Sequence, residues 1–182
     1  RGYAEAARGA YKQVEDRFSD AAEAKDYFLH RRLAMEEVTT VEPGSAVRFQ
    51  LLHRNLSKVE LQVFKVDLMR LYLLQKSLDD IRGVQLQGIA PTVQRELALG
   101  DGRDYRDRET GVDLDLEGSG AWLVVARSGS EVATGLILRT GLRLDIQEDT
   151  PIGRLRVNVK RGDGVVANVD VRVVASGARR LR

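Results

Sequence analysis

The chain has 182 residues, 43% hydrophobic and 31% charged, a composition that folds into one large or two small domains rather than staying disordered. Its 29 Lys and Arg stand against 27 Asp and Glu, and a net charge of +2 supplies no field to hold a polyanion, so nucleic acid is not an expected partner. The lack of cysteine excludes disulfides, thiolate nucleophiles and thiolate metal sites, and no apolar run approaches the roughly 18 residues of a membrane span. Arg1-Gly2-Tyr3 carries neither an initiator Met nor a signal core, so the natural N-terminus is expected upstream; the basic tail Arg179-Arg180-Leu181-Arg182 reads as a solvated end.

From Gly2 to about Glu37 the pattern is helical. Tyr3, Ala6, Ala7, Ala10, Tyr11, Val14 and Phe18 recur at steps of three and four, and Ser19 and Asp20 interrupt them. A second helix is expected from about Ala21, capped by Ser19 or Asp20, with Ala24, Tyr27, Phe28, Leu33 and Met35 available for packing. After Thr39 the period becomes two. Val47, Phe49 and Leu51 alternate with Arg48 and Gln50, Leu61 and Val63 alternate with Glu60 and Gln62, and Arg54-Asn55 marks the turn of a hairpin that Pro43-Gly44 opens. Asp67 then caps an inserted amphipathic helix that aligns Leu68, Leu71, Tyr72, Leu78 and Ile81, and Gly83, Gly88 and Pro91 end it.

A strand is expected from Val93 to Leu99, followed by the polar turn Gly100-Asp101-Gly102-Arg103-Asp104. Val112, Leu114 and Leu116 alternate with acidic residues. The run Ala121-Trp122-Leu123-Val124-Val125-Ala126 reads as a central strand, and Ser128-Gly129-Ser130 turns into Val132 to Leu138. The expected fold is thus mainly β with an N-terminal α-hairpin: an antiparallel β-sandwich carrying one inserted helix. From Leu142 a further set begins, with Leu142, Leu144 and Ile146, the break Pro151-Ile152-Gly153, then Leu155, Val157 and Val159, and an arm through Val169, Val171 and Val173. Three strands leave their apolar face uncovered, so a second, incomplete sandwich is expected there. The domain reading is residues 1–37 helical hairpin, 38–140 sandwich, and 141–182 the start of another.

Two resemblances follow from these residues. Gly2-Tyr3-Ala4-Glu5-Ala6, Tyr11, Val14, Phe18-Ser19-Asp20 and Ala24 resemble the second helix of a tetratricopeptide repeat running into the next, with Ser19 where that junction carries proline. Val59 to Asp67 with its helix, Gly120-Ala121-Trp122-Leu123-Val124-Val125-Ala126 and the partner Val132 to Leu138 resemble the first macroglobulin-like domains of bacterial alpha-2-macroglobulin-type proteins. Leu155 to Val174, with the turn Arg161-Gly162-Asp163-Gly164, looks like that family's next domain. The resemblance implies a macroglobulin- or immunoglobulin-like sandwich serving as a non-catalytic scaffold or protein-binding module, with a protein partner, in the periplasm or at the cell surface. The family's reactive thioester needs a cysteine and is not carried over.

Sites sought along the chain are few, and no enzyme or cofactor is expected. His30 and His53 are the only imidazoles and no motif joins them. Asp101, Asp104, Asp107 and Glu109 have the oxygen donors of a calcium site, but Arg103, Arg106 and Arg108 interleave with them, which favours a solvated, internally paired loop. Asp145, Glu148 and Asp149 read as an inter-domain polar contact, with paired glycosidase carboxylates the alternative. Trp122 reads as core; exposed beside a groove it would instead serve a glycan-binding or hydrolase accessory domain. Arg161-Gly162-Asp163 matches an adhesion tripeptide yet is what a turn demands, and Asn55-Leu56-Ser57 fits a glycosylation sequon.

Overall fold

The computed structural model of the chain describes residues 2–14, 27–70 and 89–172. Helix α1 (Gly2–Val14) is followed by strands β1 (Arg32–Met35), β2 (Val38–Val41), β3 (Val47–Arg54), β4 (Lys58–Val66), β5 (Val93–Ala98), β6 (Arg108–Leu114), β7 (Gly120–Ser128) and β8 (Glu131–Arg139). Beyond them lie β9 (Leu142–Asp149), a 3-10 turn at Thr150–Ile152, β10 (Arg154–Arg161) and β11 (Gly164–Val165). One sheet has the order β1-β3-β6, a second β2-β8-β7-β4-β5, and a third β11-β10-β9.

The first two sheets share one core. Leu33, Val47, Phe49, Leu51, Val112 and Leu114 from the three-stranded sheet meet Val59, Leu61 and Val63 of β4 and Trp122, Val124 and Ala126 of β7. The alternation in the sequence selects these faces, because successive strand side chains point to opposite sides. Each large apolar side chain buried in this way contributes roughly 1.5–3 kcal/mol.

The second helix expected up to Glu37 is corrected in its described part. Arg32–Met35 is strand, pairing Leu33 with His53 and Met35 with Leu51. Leu33 and Met35 stand two apart and face the core as a strand places them, so tertiary pairing overrides the helical reading. The Ser19 or Asp20 cap and Ala24 lie outside the described residues. The pairing is also not wholly antiparallel: β2 runs parallel to β8, from Val38 opposite Leu136 to Val41 opposite Arg139.

Between β1 and β2 the chain changes sheets, and Gly135 makes room for that step. A Cβ there would sit 2.6 Å from the Glu36 carbonyl oxygen and 2.8 Å from Met35 Sδ, while the next amide, Leu136 N, donates to Glu37 O at 2.8 Å. The inserted helix begins as read: residues 68–70 are helical and Arg70 N donates to Asp67 Oδ1 at 3.1 Å. Leu71, Tyr72, Leu78, Ile81, Gly83 and Gly88 lie outside the described residues. The arm expected through Val169 and Val171 is not a strand; β11 is only Gly164–Val165, with Val166 N bonded to Val159 O at 2.8 Å. Val173 lies outside the described residues.

Gly135→Ala is expected to destabilise the fold by about 1–3 kcal/mol, since the Glu36 carbonyl belongs to a paired backbone and cannot yield as a side-chain tip does. A lowered urea midpoint with unchanged slope checks this.

Candidate functional site

Four of the five buried polar residues among those described gather at one end of the two-sheet unit, where the β3–β4 turn, the loop before β6 and the segment entering β1 meet; the fifth, Arg139, lies elsewhere and donates to Ser45 O. His53, Arg54, Asn55 and Asp104 are all buried there. Asn55 lies in the left-handed region at φ 55°, a conformation its short amide tolerates. Its Nδ2 donates to Phe28 O at 2.7 Å and His30 O at 3.2 Å, and its Oδ1 accepts from Tyr105 N at 2.8 Å. One side chain thus ties three stretches of backbone together.

Arg54 beside it is 5% exposed, with its guanidinium 4.1 Å from the Tyr27 ring centroid and its Nε 3.4 Å from Asp107 Oδ1. Arg32 Nη1 donates to the other oxygen of Asp107 at 2.8 Å. Arg108 Nε pairs with Asp104 Oδ1 at 2.8 Å. Helix α1 reaches the same end, with the Arg8 guanidinium 5.4 Å from the Tyr105 ring.

His53 Nε2 lies 2.9 Å from Thr110 Oγ1, and its Nδ1 has no hydrogen-bond partner among the described residues. Burial lowers its pKa below the ordinary 6.5, with Asp104 opposing that shift and Arg108 adding to it.

The residues singled out in the sequence fall as follows. Asp104 and Asp107 face arginines, and Asp101 Oδ1 accepts from Arg103 N at 3.0 Å; among the described residues no three acidic or histidine side chains form a group able to hold a cation. Asp145 pairs with Lys160 at 3.1 Å, and strand alternation sets Glu148 on the opposite face from Asp145 and Asp149. Trp122 is 2% exposed, with Lys65 Nζ 5.8 Å from its ring. The sequon nitrogen of Asn55 is occupied by the two carbonyls. Arg161-Gly162-Asp163 forms the exposed β10–β11 turn, with Gly162 at φ 56°. His30 takes part through its carbonyl alone among the contacts described. Sequence reasoning missed the Arg54–Tyr27–Asp107–Arg32 contacts, although arginines alternating with aspartates were their signal.

A groove of about 670 Å³ opens beside this end, lined among others by Arg31, Lys58, Glu96, Arg103 and Arg127. Lys58 is held above its ordinary pKa by its hydrogen bond to Glu96.

No family model and no curated protein matches this chain. Among solved structures, it is similar to native alpha-2-macroglobulin from Escherichia coli spanning domains MG0-NIE-MG1, at 15% identity and a TM-score of 0.55, over 72% of this chain and 45% of that one. A second structure of the same protein, spanning NIE-MG1, matches at 14% identity and a TM-score of 0.49, over 72% of this chain and 70% of that one. The chain therefore spans less than half the length of the first of these, and the likeness is one of fold: a distant macroglobulin-like β-sandwich.

Asn55→Gly, which keeps the backbone conformation and removes the three bonds, is expected to cost about 1–3 kcal/mol. Asn55→Ala adds about 1–2 kcal/mol of left-handed strain. Faster amide exchange at Tyr105 in both variants ties the loss to this joint. For His53, the unfolded chain takes up a proton as pH falls through 6.5 while the folded chain resists. Its contribution is thus fully present above the ordinary value and declines on acidification. Urea midpoints are expected to fall from about pH 7.5 to about pH 5, with a shallower fall in His53→Gln.

Proposed function

We propose that this chain is a non-catalytic scaffold or protein-binding segment of a larger macroglobulin-like protein of the cell envelope, acting without thioester chemistry in the periplasm or at the cell surface. The observation that carries this reading is the joint at Asn55 and Arg54, which fixes the incoming segment to the sandwich end by side-chain bonds to backbone rather than by a flexible linker. Such a joint holds one module at a set angle to the next, as a scaffold requires. The fold likeness to alpha-2-macroglobulin supports the macroglobulin- or immunoglobulin-like identity of the sandwich.

In this reading the tetratricopeptide-like N-terminal segment presents the sandwich to its neighbours, and the sandwich, taking in β1, runs to about residue 140. Residues 141–182 open a second sandwich. The exposure of Leu144 at 62% and Ile146 at 56%, on a sheet whose apolar side no described element covers, supports that division. A glycan-binding or hydrolase accessory role is the second reading, and the burial of Trp122 takes from it the tryptophan it would use as an aromatic platform.

Trp122 is the only tryptophan, so its emission separates the two readings. Titrating the full-length protein with envelope polysaccharides is expected to leave both emission and calorimetric heat flat. Saturable quenching would transfer the case to glycan binding. Amine-reactive cross-linking in whole envelopes is expected to join Lys58, beside the joint, to a second protein, and Asn55→Ala to weaken those links. Links that are absent, or indifferent to the joint, would count against the scaffold.

A further inference from the structure

The groove beside the Asn55 joint has walls held by hydrogen bonds. Ser128 Oγ donates to Lys58 O at 2.6 Å, tying the β7–β8 turn to β4, and Leu99 N donates to Ser57 O at 2.8 Å, tying the chain after β5 to the β3–β4 turn. A second hollow of about 380 Å³, lined by Glu5, Asp101, Arg103 and Tyr105, shares Asp101 and Arg103 with the groove of about 670 Å³. The two meet in one trench, which runs from the β7–β8 turn past the β3–β4 turn to helix α1. Tyr105 walls the helix end at φ 54°, in the left-handed region, where a bulky side chain stays only if its surroundings hold it. Asn55 Oδ1 holds its amide and Arg8 lies over its ring.

The acids of the trench are engaged within the chain. Glu96 accepts from Lys58 at 2.8 Å, Glu60 from Gln62 and Gln94 at 3.1 and 2.9 Å, and Asp101 from the backbone of Arg103 at 3.0 Å. The arginines are not: no ion pair among the described residues engages the exposed guanidiniums of Arg31, Arg103 and Arg127. Arg31 follows His30, whose carbonyl Asn55 holds, and lies over the β7–β8 turn, where a Cβ on Gly129 would stand 3.6 Å from its Nη1. Arg127 stands on β7 opposite Glu60, whose carboxylate is turned to the two glutamines. Three separated segments thus bring unpaired guanidiniums to one trench.

We propose that this trench binds an extended, acidic segment of a partner protein, with its carboxylates on Arg31, Arg103 and Arg127. Guanidinium and carboxylate match as planar, bidentate partners. The engaged acids select the class of anion. A continuous phosphate backbone or an anionic lipid surface would be pressed against Glu60 and Glu96, whereas a peptide alternates its carboxylates with amide N–H groups that those oxygens accept. The assignment rests on the protein-binding reading above and names the chemistry of the partner.

The test uses the full-length protein and a short fluorescein-labelled peptide of alternating Glu and Gly, followed by anisotropy at low salt. Saturable binding is expected, and none with the peptide of alternating Gln and Gly. Arg31→Gln combined with Arg127→Gln should weaken it about tenfold or more while leaving Trp122 emission unchanged. Arg156→Gln, on β10 outside the trench, should bind as the parent does, and phosphatidylglycerol vesicles should not compete. Absence of saturable binding, equal binding of the Gln peptide, indifference to the two arginines, or displacement by the vesicles overturns the proposal. If the peptide does not bind while Lys58 still cross-links to a second protein in envelopes, the acidic segment is refuted and the scaffold reading stands; loss of both removes both.

Discussion

The step from β1 to β2 is the constraint on which the rest of the structure depends. Those strands are consecutive in the chain but belong to different sheets, so the backbone at Glu36 and Glu37 has to cross between the layers. It does so over Gly135, where any side chain would strike the Glu36 carbonyl. Once the crossing is made, β1 lays Leu33 into the core against β3 and β2 seals the flank of β8. Without it, the small sheet would keep only β3 and β6 and the large sheet would end on an open β8.

A second demand comes from the buried polar end. Taking the Arg54 guanidinium out of water costs several kcal/mol, which the attraction of Asp107 offsets only with good geometry and further partners. The ring of Tyr27 supplies one, and Arg32 holds Asp107 from the other side. Exchanging these groups for apolar ones of the same shape would not by itself weaken the fold. What they define is the approach of the incoming segment, because a misplaced Tyr27 or Asp107 leaves a buried charge alone. Asn55 adds to that definition through directional bonds to three backbone groups.

Much of the β framework is legible in the sequence. The period-two runs of β3 and β4 name their core faces directly, the continuous apolar run of β7 marks a central strand, and the Asp67 cap marks the start of the insertion. β1 was not legible, since four residues set among arginines and glutamates after a helical stretch carry too little periodicity, and their pairing with β3 is decided by distant chain. The parallel β2–β8 pair was hidden for the same reason. At the candidate site, the acidic residues of the 101–109 loop and the neutralising role of its arginines could be read. Their partners could not, because Arg32 and Arg54 reach Asp107 only after three separated segments have come together. Asn55 gave a turn signal, but nothing local told that its amide would be consumed by backbone.

The parallel pair has a mechanical consequence. β2 receives the chain from the N-terminal side and β8 passes it on toward β9, so tension along the polypeptide pulls the two strands past each other lengthwise. Parallel neighbours loaded in that way carry the force along their axes, and their cross-strand bonds share it rather than opening one by one from an end. The short edge strand therefore acts as a clamp in shear behind the Asn55 joint and β1.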